Sequence, residues 1–167
     1  MPLFRRSALP DDVRARLGVR AGERVLAHAR LTDGWAAATT HALVVVPDDG
    51  PELRRPWTDV TVARLDAEEA AVAVEWVDGS ETRLGLADER AHEFPAALRQ
   101  CVDSSVVHRE RVDLPGRRVV QVVLRRDGDG ALFTQVIGPG GVDLDDPGTA
   151  AAVDAAEQHV REAAGLL

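Results

Sequence analysis

Two serines and a histidine that could support nucleophilic chemistry lie close together in the sequence. Ser105 and Ser104 precede His108 by three and four residues. A hydroxyl beside a histidine base is the arrangement that activates serine for acyl transfer. Neither serine lies in the Gly-x-Ser-x-Gly turn that presents such a nucleophile in hydrolases. A hydrolytic enzyme is therefore an alternative that ranks below two kinds of binding function.

A group of aspartates in the last third of the chain could contribute to a cation site. The Asp-Gly-Asp-Gly segment at 127–130 is similar to the start of a calcium loop, but the third alternating ligand and the distal glutamate are absent. A hairpin turn followed by a helix cap is the favoured interpretation. Cys101 and the five histidines form no zinc-ligand spacing, and no phosphate-binding glycine motif is present, so the sequence predicts no cofactor. The aspartates concerned are Asp127, Asp129, Asp143, Asp145 and Asp146.

Basic residues are concentrated between positions 109 and 126, against a net charge of −8 and in a chain without lysine. The commonest interpretation of this asymmetry is a set of arginine-rich strands whose charges are simply solvated. The two functional interpretations are a docking face for an acidic protein partner and phosphate contacts on RNA. Only Phe133 is nearby to stack on bases, so no strong nucleic-acid signal remains. The candidate partner-binding residues are Arg109, Arg111, Arg117, Arg118, Arg125 and Arg126.

The elements that must position these residues begin with a run of short strands. Apolar alternation and turn signals such as Asp33-Gly34 and Asp78-Gly79 predict six strands in the first half of the chain, a pattern typical of a sandwich or a small barrel. Trp57 and Trp76 are predicted to be buried anchors of a core that is otherwise rich in Ala, Val and Leu. The predicted strands cover residues 24–31, 35–40, 42–46, 57–65, 70–77 and 81–86.

Helices are predicted on both sides of this run of strands. A short helix at 10–18 has a proline in its first turn and a glycine at its end. A longer helix is predicted to begin at Pro95, because a proline inside a helix removes a backbone bond and clashes with the preceding turn. Its apolar stripe consists of Phe94, Leu98, Cys101, Val102 and Val106.

The remainder of the chain reads as three strands and a helix. Strands are predicted around 112–114, 119–126 and 132–137, followed by a helix over 148–164. Asp146 is the expected N-cap of that helix and Pro147 its first residue. The sequence leaves open whether this extension packs on the first part or folds as a small second domain.

The first part of the chain resembles the bacterial pleckstrin-homology-like (PH-like) barrels, over residues 20–107. The resemblance rests on the strand order, on Pro56-Trp57-x-x-Val60, on the Val77–Gly79 hairpin and on the helix that carries Phe94 and Leu98. It implies an α+β fold with a two-sheet, seven-stranded antiparallel β-barrel capped by a C-terminal helix. Since the sequence pattern predicts six strands, the seventh is either missing or supplied by a short segment such as 52–55. The β-meander and helix of the extension follow the barrel.

Three regions and one preferred function follow from these expectations. The regions are an N-terminal arm with a short helix (1–19), the PH-like barrel with its capping helix (20–107) and the extension (108–167). The preferred function is a non-enzymatic protein-interaction or scaffold module that binds a protein partner or a second copy of itself. The alternative is binding of a small molecule or lipid in the barrel interior, near His41 and Trp76.

Two expectations concern membranes and the cell compartment. Members of the resembled family that bind phosphoinositides use basic residues around the first hairpin loop, which here is the short, acidic Thr32-Asp33-Gly34, so phosphoinositide binding is disfavoured. No stretch approaches the ~20 apolar residues of a membrane span. A single cysteine is typical of a reducing compartment, and the expected location is cytoplasmic.

Overall fold

The computed structural model describes residues 8–88, 92–139 and 142–166, and within them it is an α+β fold with three antiparallel sheets. The first sheet has the order β1 (Val25–Leu31), β2 (Gly34–Thr39), β3 (Ala42–Pro47), β4 (Leu53–Pro56). The second contains β5 (Val60–Asp66), β6 (Ala71–Trp76) and β7 (Glu81–Gly85). The third has the order β10-β9-β8, formed by β8 (Val106–Leu114), β9 (Arg118–Arg126) and β10 (Leu132–Ile137). The helices are α1 (Asp11–Arg16), α2 (Glu93–Ser105) and α3 (Pro147–Ala163).

The closed barrel predicted for residues 20–107 is not formed by the residues that the structure describes. The end of β1 is joined to the segment after β7 by an isolated bridge between Leu31 and Leu86. The bridge is flanked by bonds from the Thr32 N–H to the Gly85 carbonyl at 2.9 Å and from the Ala87 N–H to the Arg30 carbonyl at 3.0 Å. The first two sheets therefore remain separate ladders, and most of the outer edge of β1 stays open. The seventh strand expected near 52–55 is present as β4.

The chain passes from the first sheet to the second through a single 3₁₀ turn, Trp57–Asp59. The strand predicted over 57–65 is therefore wrong in its first three residues and begins at Val60. The turn follows Pro56, which is extended, and it brings the Trp57 side chain into the space between the sheets.

Helix α2 closes the space between the first two sheets with one apolar face. Phe94 and Leu98 are 1% and 0% exposed and belong to the same cluster as Trp57 and Trp76. The helix begins at Glu93, two residues before the predicted start, because a proline is tolerated in a first turn whose N–H groups have no partner within the helix.

The junction between α2 and β8 contains no linker. The helix ends at Ser105, and Val106 is already extended, so the prediction that Val106 continues the helical stripe is wrong. The change from helix to strand thus brings the third sheet directly against the end of α2.

The two remaining helices each cover one sheet. α1 places Val13 against the outer face of the first sheet, where Val44 and Val46 belong to the same buried cluster. α3 begins at an N-cap in which the Asp146 Oδ2 accepts the Thr149 N–H at 2.8 Å, and its Val160 packs on the β9 face that carries Leu124.

Glu23 is a buried carboxylate that ties the entry of β1 to the first sheet. The Thr39 hydroxyl donates to its Oε1 at 2.5 Å, the Arg54 Nη2 contacts both of its oxygens at 2.6 Å, and the Arg20 N–H donates to its Oε2 at 2.9 Å. Burial opposes ionisation of Glu23, but the hydrogen bonds from Arg20, Thr39 and Arg54 outweigh it and lower the pKa of this carboxyl below its ordinary value.

This network predicts an acid-sensitive contribution to stability. Because the pKa of Glu23 is lower in the folded state than in the unfolded state, its contribution is complete above the ordinary pKa of 4.5 and is lost as pH falls through the folded value. At neutral pH we expect Glu23→Gln to lower the free energy of unfolding by about 1.5–3 kcal/mol, the usual range for hydrogen bonds to a charged group. Urea titrations of wild type and Glu23→Gln between pH 3 and pH 7 measure this difference in the free energy of unfolding.

The difference between wild type and Glu23→Gln should shrink as the pH is lowered, because protonated Glu23 is nearly equivalent to glutamine. Glu52→Gln is the matched control: Glu52 is an exposed partner of Arg16 and should have little effect. A difference that is the same at both ends of the pH range would contradict the assigned role of the ionised carboxylate.

Candidate functional site

A pocket of about 580 Å³ opens where the third sheet meets the first sheet and α2. Its walls come from the start of β1, the 3₁₀ turn, the second half of α2 and the turn between β9 and β10. Leu26, half exposed, stands at one side, and Arg126 and Gly128 stand on the side of the third sheet. The pocket is thus a product of the docking of the extension on the first part of the chain.

Trp57 forms the apolar wall of this junction pocket. Its ring is 5% exposed, and its Nε1–H donates to the Thr39 carbonyl at 2.9 Å. Cys101 lies beside it on α2, and burial raises the pKa of its thiol to about 11, so this cysteine is a protonated, unreactive group at neutral pH.

Several polar groups border the junction pocket. Gln100 and Ser104 are exposed on α2, and Arg126 is exposed at the end of β9. Asp127 also borders it, and its Oδ1 accepts the N–H groups of Asp129 and Ala131 at 2.9 and 2.8 Å. This carboxylate therefore shapes the β9–β10 turn.

Arg125 is buried at the junction, with 1% of its surface exposed. Its Nη1 donates to the Ser105 hydroxyl at 2.8 Å and its Nη2 to the Val60 carbonyl at 3.0 Å. Its Nε donates to the Gln135 Oε1 at 3.3 Å, and no carboxylate of the described residues forms an ion pair with it. Burial, together with the charge of Arg109, lowers the pKa of Arg125, against a weaker opposing effect of Asp59. One guanidinium thus connects α2, β5 and the third sheet.

The six arginines predicted to bind a partner do not form one surface. Arg125 is buried, and Arg126 borders the junction pocket. Arg117 and Arg118 lie at the other end of β9, about 25 Å away at the rise of an extended strand. Arg109 and Arg111 are exposed on β8, where Arg111 pairs with Asp113 at 3.1 Å.

His41 and Trp76, the residues predicted to flank an interior pocket, lie at different places. The His41 Nδ1 is 2.9 Å from the Thr40 hydroxyl, and its ring packs so closely on Gly128 that a Cβ there would lie 2.3 Å from its Cδ2. Trp76 donates from Nε1 to the Thr82 hydroxyl at 2.8 Å and lies under the Arg55 guanidinium. Both tryptophans that were predicted to be anchors, Trp57 and Trp76, are buried.

A second, smaller pocket of about 310 Å³ lies between the β6–β7 hairpin and the end of β10. Trp76 borders it together with Thr61 and Ile137. The Thr61 hydroxyl is buried without a hydrogen-bond partner. Both pockets are therefore at the junction, while apolar side chains fill the space between the first two sheets.

The serines near His108 are not arranged as a nucleophile with a base. The Ser105 hydroxyl donates to the Val102 carbonyl at 2.7 Å and accepts from Arg125, a cation that cannot take up its proton. Ser104 is exposed on α2, and His108 is exposed on β8.

Three of the aspartates considered for a cation site serve as turn or cap acceptors. Asp127 holds the β9–β10 turn, the Asp143 Oδ1 accepts the Asp145 N–H at 3.0 Å, and Asp146 caps α3. Among residues 8–88, 92–139 and 142–166, no three His, Cys, Asp or Glu side chains are grouped as metal ligands.

The two outer edges of the third sheet differ in a way that the sequence analysis missed. The backbone ladder of β10 runs only to β9 in the part of the chain that the structure describes, and so does that of β8. β10 has the sequence LFTQVI, without a titratable side chain. β8 has five titratable side chains among nine residues, namely His108, Arg109, Glu110, Arg111 and Asp113. The sequence signal for this difference is the absence of charged residues from 132 to 137.

The chain matches no protein-family model, no curated protein and no solved structure. Within the described residues, none of the helices is both long and apolar enough to cross a bilayer.

Proposed function

We propose that this chain is a non-enzymatic interaction module that pairs with a second copy of itself through the free edge of β10. An open edge strand offers unpaired N–H and C=O groups to another strand, and natural proteins block such edges with charged side chains. β8 has such charges and β10 has none. This contrast between the two edges of one sheet is the observation on which the proposal rests.

The uncharged strand also explains why the partner is a second copy. With a net charge of −8, two copies repel each other over most of their surface. Pairing is therefore favoured along an uncharged strand, where it brings no two like charges together. Two antiparallel β10 strands related by a twofold axis would form a continuous six-stranded sheet, and a twofold interface is the commonest arrangement in homo-oligomers.

We also propose that residues 20–107 are a PH-like unit that acts as the scaffold for this sheet. Support comes from the order of four and then three antiparallel strands and from α2, whose Phe94 and Leu98 pack in the cluster between the two sheets. In this arrangement the PH-like unit holds the third sheet through Arg125, and the extension carries the docking edge.

A charge placed on β10 should abolish the pairing. We expect wild type to sediment as a concentration-dependent dimer and Leu132→Glu to be monomeric, because a carboxylate at the edge would be desolvated against the uncharged strand of the second copy. Leu132 lies opposite Arg126 in the ladder, so the new carboxylate has a favourable neighbour within the monomer. Sedimentation equilibrium measures the mass.

Val107→Glu is the matched control on the other edge. Val107 and Leu132 are both half-buried residues packed against the same cluster under α3. We expect Val107→Glu to dimerise like wild type. A wild type that is monomeric at all concentrations, or two variants that behave alike, would contradict the proposal.

A further inference from the structure

We propose that the junction pocket binds a small organic carboxylate with an apolar body, at a site separate from the β10 edge. The pocket volume of about 580 Å³ falls within the ~300–1,000 Å³ range of small-molecule sites. Such sites combine apolar walls with a few polar groups that fix the orientation of the ligand, and the junction pocket has both.

The apolar walls would receive the body of the ligand. Trp57 and Pro56 come from the passage between the first two sheets, and Ala97 comes from α2. Leu26, 50% exposed, stands at the mouth of the pocket, where a ligand would cover it. An aromatic or alicyclic body would remove this apolar surface from water.

Arg126 would receive the carboxylate. Its side chain is exposed at the pocket and forms no ion pair with any carboxylate among the described residues. A guanidinium offers two parallel N–H donors, which match the two oxygens of a carboxylate. Ser104 and Gln100 add an exposed hydroxyl and an exposed amide on the α2 side of the pocket.

The charges around the pocket favour a carboxylate over a phosphate. Asp127 borders the same pocket as Arg126, and the whole chain has a net charge of −8. Repulsion of a ligand grows with its charge, so a doubly charged phosphate is disfavoured relative to a singly charged carboxylate.

Binding can be tested with four small probes that share one apolar body. Phenylacetate, phenylethylamine, phenyl phosphate and benzyl alcohol are titrated to millimolar concentration into the full-length ¹⁵N-labelled protein, and the indole N–H signals are followed. We expect phenylacetate to shift the Trp57 signal and to leave the signals of Trp35 and Trp76 in place, since only Trp57 borders this pocket. The other three probes should bind more weakly.

Two arginine variants separate a specific site from a general effect of charge. Arg126→Gln should weaken phenylacetate binding about 10-fold or more, which is the loss expected for a charge-assisted pair. Arg99→Gln removes an exposed arginine of α2 that does not border the pocket and should bind as wild type does. The proposal is overturned if phenylacetate does not shift Trp57, if the two variants bind alike, or if the amine, the phosphate or the alcohol binds as tightly as phenylacetate.

Discussion

Replacing Trp57 with alanine should lower the free energy of unfolding by about 3–5 kcal/mol, the usual cost of removing a buried aromatic side chain. Trp57 is 5% exposed and lies in the cluster shared by the first two sheets and α2. Its removal would also leave the Thr39 carbonyl without the 2.9 Å bond from the indole Nε1. Since small domains have a total stability of about 5–15 kcal/mol, this single change could remove half of it. Urea unfolding followed by circular dichroism measures the loss.

Two further tryptophan variants separate the parts of this effect. Trp57→Phe keeps an aromatic ring in the cluster and should lose about 1–3 kcal/mol, because the buried Thr39 carbonyl loses its indole donor and keeps only the long contact from the Cys101 thiol at 4.0 Å. Trp35→Ala removes a half-buried ring that stacks on His28 outside this cluster, and it should cost less than Trp57→Ala. An equal loss for Trp35→Ala and Trp57→Ala would contradict the assignment of Trp57 to the core.

The second large effect is expected from Arg125→Ala, with a loss of about 3 kcal/mol or more. Hydrogen bonds to a charged group contribute about 1.5–3 kcal/mol each, and Arg125 donates to Ser105, Val60 and Gln135. These acceptors belong to α2, β5 and β10, so the loss should loosen the third sheet from the rest of the chain. Hydrogen exchange should then rise in β8–β10 before it rises in the first two sheets.

Neighbouring and isosteric variants provide the comparison for Arg125. Arg126→Ala, one residue further on and exposed, should change stability by no more than about 0.5 kcal/mol. Arg125→Met keeps an apolar stem of similar length and removes a buried charge that forms no ion pair among the described residues, so it should cost less than alanine. If alanine at 125 had as small an effect as alanine at 126, Arg125 would not be the connection between the sheets.

The buried face of β6 and the start of α3 could be predicted from the sequence because their patterns are local. Alternation placed Val72, Val74 and Trp76 on one face, and all three are buried in the core cluster. The N-cap of α3 at Asp146 could also be predicted, since a side-chain acceptor followed by a proline indicates where a helix begins.

The closure of the first two sheets could not be predicted, because it depends on where two distant strands meet. The end of β1 meets the segment after β7 at a single bridge between Leu31 and Leu86, and no local pattern in either segment indicates how far the pairing extends. The position of the 3₁₀ turn at Trp57 has the same origin, since it is set by the path of the chain between two sheets.

The burial of Arg125 was missed because a charged residue was assumed to be exposed. The consecutive apolar residues at 122–124 already indicated that this end of the strand is covered on both faces. Arg125 is in phase with Val123, which is 2% exposed, so the same run predicts that its side chain points into the covered face. The sequence therefore contained a signal for the burial of Arg125, and the assumption that charged residues are exposed outweighed it.

Hydrogen exchange of the individual β10 amides, compared between dilute and concentrated protein, tests the pairing of two copies most directly. In an antiparallel edge strand about half of the amides point away from the neighbouring strand. We predict that these outward amides of β10 become protected as the protein concentration is raised, while the outward amides of β8 exchange rapidly at every concentration. Equal exchange at the two edges, at all concentrations, would contradict the proposal that β10 is the docking edge.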